Sequence, residues 1–338
     1  MNSKERVIRT LKFEKPDRIP MDFWTLPATS YRYGEQLEKL KERAGLDILS
    51  APNTMFRGLD SDMRHYEVGR FVDEWGSGWR GAQRGIVGEV KEPVLDDASK
   101  LDTFKTPIEK LPKTLDELKP IFDFVDAYPD HFILGGWIIF FERMQFVRGP
   151  VNVYLDLFEE NDIFFRLRDM LEEYYSHYLD LILQTPVDAI VFADDWGAQS
   201  AMLISPEQWR RLFKPVYKRF FDRVKKAGKF IFMHSDGHIY DIFDDFIELG
   251  LDAINSQVWC MGPEKVGEKC RGRITFWGEL DRQRVMPNGS PQDVQYLINQ
   301  MKLHLYADGG LIGQSEPGPD VPFENIEVSL LGWNNHLK

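Results

Sequence analysis

Through most of this chain short apolar runs alternate with longer amphipathic segments, a rhythm that is clearest after Asp126. Residues 18–23, 46–49, 132–137, 189–193, 230–234, 253–257, 274–278 and 310–314 read as strands, being short and bounded by turn-forming residues. Apolar strands separated by amphipathic segments are the pattern of βα units around a parallel sheet, and eight such strands close most naturally into a barrel. The expected fold class is therefore α/β, a (β/α)8 TIM barrel, with residues 1–338 as one domain. The stretch 51–112, rich in Gly, Asp and Trp, breaks the rhythm and reads as an extended loop or hairpin excursion.

Helix starts fit this register. Ser205-Pro206-Glu207-Gln208 offers a hydroxyl cap, a proline at the first helical position and a Gln three residues after the cap, and Ser290-Pro291-Gln292-Asp293 is similar. The segment after His238 puts Ile242, Phe243, Phe246 and Ile247 on one face, with Asp241, Asp244, Asp245 and Glu248 largely on the other, before Gly250 ends it. That acidic run is expected to be a solvated face.

Composition narrows the function. A formal charge of -12 would repel nucleic acid and anionic membrane at long range. No apolar run approaches the length of a membrane span, and the first residues lack a signal-peptide core, so a cytoplasmic location is expected. Cys260 and Cys270 are the only cysteines and form neither a disulfide framework nor a zinc-ribbon spacing.

In a barrel, side chains at the C-terminal tips of the strands converge on one pocket. Here those tips carry Asp194 and Asp195, then His234, Asp236 and His238, then Glu279 and Asp281, and finally Gln314, Ser315 and Glu316, with Gln257 and Cys260 as a further set. Each has a structural alternative: an Asp can cap the next helix, Glu279 can be an ion-pair partner, and Asp236 can accept turn amides while His234 pairs with Glu316. Carboxylates gathered this closely would repel unless a metal, a proton or arginines sat among them. Successive strand residues point opposite ways, so of Asp194 and Asp195 only one should face the pocket squarely; Asp194 is the expected one, with Asp195 as the cap. Trp24, Trp137, Trp196 and Trp277 fall near strand ends, where with Gln257 they would wall a site for a flat, apolar substrate; filling barrel layers is the alternative.

Lys4-Glu5-Arg6-Val7 through Pro16-Asp17-Arg18-Ile19-Pro20, Ile204-Ser205-Pro206-Glu207 with Lys214-Pro215-Val216-Tyr217-Lys218-Arg219, His234-Ser235-Asp236-Gly237, Asp252-Ala253-Ile254-Asn255 and Pro322-Phe323-Glu324-Asn325-Ile326 stand in this order along the chain. Together they resemble the uroporphyrinogen decarboxylase superfamily. True decarboxylases of that superfamily carry an arginine-bearing stretch for a polyanionic tetrapyrrole where this chain reads Met21-Asp22-Phe23-Trp24-Thr25-Leu26-Pro27. The resemblance is therefore closer to its corrinoid-dependent zinc methyltransferases, which move a methyl group between a small molecule and a corrinoid protein. Their His-x-Cys-Gly motif and later second cysteine correspond to His234-x-Asp236-Gly237 and to Glu316, with Ser315 as the alternative for the second. The implied metal set is His234, Asp236 and Glu316 with His238 in reserve, a harder site than two thiolates make. Asp194 and Glu279 are the implied catalytic residues. The partners implied are a small methyl donor, with methoxy-aromatics among the candidates, and a corrinoid-binding protein, with zinc at the site. A decarboxylase or lyase, and a non-catalytic binder of corrinoid or small molecules, are the alternatives.

Overall fold

The computed structural model describes residues 1–52 and 63–334. Its strands are β1 (Ile48–Ser50), β2 (Gly69–Val72), β3 (Gly78–Gly81), β4 (Glu89–Glu92), β5 (Phe132–Ile138), β6 (Ala189–Ala193), β7 (Phe230–Ser235), β8 (Ala253–Ser256), β9 (Thr275–Trp277) and β10 (Leu311–Ile312). Seven of them form one parallel sheet in the order β1-β5-β6-β7-β8-β9-β10. The predicted strand over 18–23 completes it. Met21 bridges Gly313 in parallel, Asp22 N–H donates to Gly313 O at 2.9 Å, and Asp47 N–H donates to Met21 O at 2.8 Å. Pro20 has no N–H to give, which helps keep this closing segment to a bridge rather than a long strand.

Both sides of the barrel wall are apolar. Val191, Phe232, Ala253, Trp277 and Ile312 fill the interior, while Ile190, Met233, Ile254, Phe276 and Leu311 face the surrounding helices. The helix Ser3–Leu11 closes the far end of the barrel with Val7 and Leu11. Below the closing segment Asp47, fully buried, accepts from Arg6 Nη1 at 2.5 Å, from Arg18 Nη1 at 2.7 Å and from the Met21 amide at 2.8 Å.

The excursion is a three-stranded antiparallel sheet of β2, β3 and β4; residues 53–62 of the expected loop lie outside the described residues. Trp75 packs edge-on against Tyr174 at 4.6 Å, and Asp73 accepts the Trp79 indole N–H at 2.8 Å. Ser205 and Ser290 cap their helices as the sequence predicts, Ser290 in a reciprocal box with Asp293. One expectation fails: Asp245 is not on a solvated face but buried, taking ion pairs from Arg210 at 2.9 Å and Lys214 at 2.8 Å. No described helix is long and apolar enough to cross a membrane.

Candidate active site

The inward face of each strand continues into its C-terminal tip, because side chains alternate along a strand. In β6 Ala189 and Val191 point inward, which carries Asp195 inward and Asp194 outward. In β7 Phe230 and Phe232 lead to His234 and Asp236; in β9 Trp277 leads to Glu279; and Ile312 leads to Gln314 and Glu316. One ring of polar groups results.

The tips of β6 and β7 are clasped by two glycines. A side chain on Gly197 would lie 2.4 Å from the His238 amide nitrogen, and one on Gly237, whose φ is +78°, would lie 2.2 Å from Gly197 backbone. The crossing is held by Gly197 N–H donating to Asp236 O at 3.1 Å and by Asp236 N–H donating to Asp195 Oδ1 at 2.8 Å. Asp195 is thereby set beside His234.

This reverses the expected roles of the two aspartates. Asp194 faces the helix layer, where its carboxylate accepts from the amides of Phe140, Phe141 and Glu142 at 3.1, 2.7 and 2.9 Å and from Tyr217 Oη at 2.6 Å. It caps the helix Phe140–Arg148, and burial holds it at about 7 against the pull of those four donors. Asp195 takes the pocket position.

His234 Nε2 lies 3.6 Å from Asp195 Oδ1 and 3.7 Å from Asp236 Oδ1. Its Nδ1 meets Asn255 Oδ1 at 2.5 Å. The amide orientation of Asn255 is fixed because its nitrogen donates to Trp277 O at 2.5 Å and to Gln314 Oε1 at 3.0 Å. Nδ1 of His234 therefore carries the proton, and Nε2 turns a lone pair or a second proton toward the two aspartates. Burial works against charge on this ring, but Asp195, Asp236, Asn255 and Glu279 together raise its pKa.

Asp195, His234 and Asp236 place one ligand atom each within 4.8 Å of one another. Asp236 Oδ1 is buried without a hydrogen-bond partner among the described residues. A neutral imidazole whose far nitrogen is held by an amide, with two carboxylate oxygens, fits a catalytic zinc or another borderline divalent ion. The expected set is thus corrected in one member: Asp195 replaces Glu316. His238 is not brought in, and its Nδ1 is buried without a hydrogen-bond partner among the described residues.

Glu316 is held elsewhere by Arg282, a residue the sequence reading overlooked. The guanidinium reaches Glu316 at 2.9 Å, Glu279 at 2.9 Å and Asp236, joining the tips of three strands. It is the arginine that the carboxylate cluster required. Glu142, also overlooked, stands beside Asp195, and burial with the charges of Asp195 and Asp194 pushes it up to about 8. Tyr66, from the excursion, sits near enough to Glu316 for that charge, after burial, to raise its phenol. Asp281 caps its own turn, accepting from the amides of Gln283 and Arg284.

The aromatic residues divide. Trp24 and Trp137, both half-buried, meet edge-on at 5.5 Å, and Trp24 lies 5.6 Å from His234. Trp277 is fully buried below Trp24, at 4.7 Å, and donates its indole N–H to Asp22 at 2.8 Å, so it is the floor and not a wall. Trp196 is corrected outright: it is fully buried behind the barrel, stacked on Phe141 at 4.2 Å. Gln257 lines a pocket of about 210 Å³ with Trp259, Cys260, Glu279, Leu280 and Arg282.

The uroporphyrinogen decarboxylase (URO-D) family model matches residues 84–327, well over half of the chain. The chain belongs to the URO-D family. Among solved structures, a methyltransferase from Methanosarcina mazei superposes with a TM-score of 0.69 at 16% identity, covering 98% of both chains. A D-psicose 3-epimerase solved with D-fructose follows at a TM-score of 0.43 and 8% identity, covering 93% of this chain and 90% of its own. A sequence search of curated proteins gives no match. The first likeness shows the barrel fold across the whole chain; the mouth of that barrel is where the ring of polar groups stands.

Proposed function

We propose that this URO-D family member is a methyltransferase that takes a methyl group from a small methylated molecule, with a methoxy-aromatic ether as the favoured class, and passes it to a corrinoid carried by a partner protein. The observation that carries the reading is the charge arrangement. Among the described residues the one guanidinium in the cluster, Arg282, is committed to Asp236, Glu279 and Glu316. A polyanionic porphyrinogen would meet surplus carboxylate there, with no free fork among the described residues to bind its own carboxylates. A neutral ether meets Trp24 and Trp137 at the mouth and a His–Asp–Asp cluster below.

Asp195, His234 and Asp236 would hold the metal, and a divalent ion there would supply Lewis acidity to a departing oxygen. The chain's own residues do the rest. Asn255 fixes the imidazole of His234, Arg282 holds three strand tips together, and the tryptophans position a ring and keep water from it. That the similar Methanosarcina mazei structure is of a methyltransferase supports the same reading.

Incubation of the purified chain with a reduced corrinoid carrier and a panel of methoxyarenes and methylamines should convert the corrinoid to its methylated form, read by absorbance. Silence across the panel, together with release of carbon dioxide from a porphyrinogen, would replace this reading with the decarboxylase one.

A further inference from the structure

Glu279 stands out among the acids of the pocket. It is 2% exposed, at the inward tip of β9, and lines the pocket with Gln257, Trp259, Cys260 and Arg282. Both carboxyl oxygens are buried, and among the described residues neither has a hydrogen-bond partner. Its one close contact is charge to charge, Oε1 lying 2.9 Å from Arg282 Nε. The main chain beneath is pinned, because the Trp259 indole N–H donates to Glu279 O at 3.1 Å. A buried carboxylate normally gathers several donors, so an acid whose one close partner among the described residues is a guanidinium shared with Asp236 and Glu316, in a residue that lines a cavity, is arranged to keep a proton.

We propose that Glu279 is the proton donor to the departing oxygen of a methyl ether in this pocket, an assignment that rests on the methyl-transfer reading. The methyl carbon–oxygen bond breaks with its electron pair going to oxygen. The reduced corrinoid, a second substrate, supplies the pair for the new carbon–cobalt bond, so that cobalt goes formally from the +1 to the +3 state. The Glu279 proton passes to the oxygen, which leaves as an alcohol or phenol, and solvent returns a proton to the carboxylate. Several neighbours set the proton affinity. Burial is the largest influence; Arg282 and His234 oppose it, and Asp236 and Glu316 reinforce it, leaving Glu279 at about 8. Arg282 fails to hold the acid ionised because its charge is shared with Asp236 and Glu316. In the metal-free protein the proton is in place at neutral pH.

The test compares the wild type with Glu279→Gln, using free reduced cobalamin as acceptor and aryl methyl ethers graded by the acidity of the released phenol. Trimethylphenylammonium serves as a donor whose leaving group needs no proton. The variant should lose about 100-fold or more with weakly acidic phenols, the scale of general acid catalysis. It should keep its rate with 4-nitroanisole and with the ammonium donor, which also shows that it folds. Wild-type turnover of the methyl ether of a weakly acidic phenol should fall as pH rises through about 8, and the variant should lack that limb. In the infrared at pH 7, the wild-type-minus-variant difference should show the loss of one protonated-carboxyl carbonyl band, while those of Glu142 and Asp194 remain. Equal losses with every donor, no loss, or a surviving alkaline limb in an active enzyme would overturn the assignment alone. A wild type that methylates cobalamin from no donor would overturn the methyl-transfer reading and the assignment with it.

Discussion

Asp194 and Asp195 are adjacent in sequence and belong to different layers of the molecule. Asp194 satisfies three helix amides and a tyrosine hydroxyl behind the wall, whereas Asp195 joins His234 and Asp236 in front of it. Asp194→Asn puts an amide nitrogen among donors and should cost about 1–3 kcal/mol in urea unfolding, the penalty of a spoiled buried acceptor. Its zinc-induced rise in melting temperature should remain. Asp195→Asn and His234→Ala should instead lose that rise, and a zinc response unaltered in His234→Ala would remove the metal from this cluster. The tryptophans separate in the same way. Trp196→Ala empties a fully buried stack on Phe141 and should cost about 3–5 kcal/mol. Trp137→Ala, at the half-buried mouth, should weaken methoxyarene binding, followed by fluorescence titration, more than it lowers the melting temperature; the opposite ranking would make Trp137 a core residue.

At the scale of elements, what positions the site is the crossing of two strand tips and the capping of the helices that follow. Gly197 and Gly237 touch backbone to backbone, so a side chain at either would push the tips of β6 and β7 apart and separate Asp195 from Asp236. The helix Pro291–Leu305 shows the milder kind of element control. Its Ser290–Asp293 box satisfies amides that the first turn leaves open. Ser290→Ala should cost about 1 kcal/mol of stability in denaturant titration, and activity per folded molecule should be unaltered because Ser290 lies outside the polar ring. A loss of activity without a loss of stability would give this helix start a part in the chemistry.

Across the whole molecule, the buried acids fix how stability follows pH. Burial raises Asp22 to about 6, Asp194 to about 7, and Glu142 and Glu279 to about 8, whereas in the unfolded chain such acids ionise near about 4. Between those limits the folded protein holds protons that the unfolded chain releases, and His234, also raised, acts in the same direction. Stability of metal-free protein should therefore fall as pH is raised from about 4 through about 8; melting temperatures in chelator that rise over that window would contradict these assignments. The sequence alone determined the strand runs, the helix starts at Ser205 and Ser290 and the polar tips, because apolar periodicity and cap chemistry are local. It could not decide which neighbour of a pair faces the pocket. Strands such as β6 are apolar on both sides, so their parity carries no sign of inside and outside until the barrel closes. Nor could it find Arg282, whose role exists only once Asp236, Glu279 and Glu316 from three strands meet around one cation.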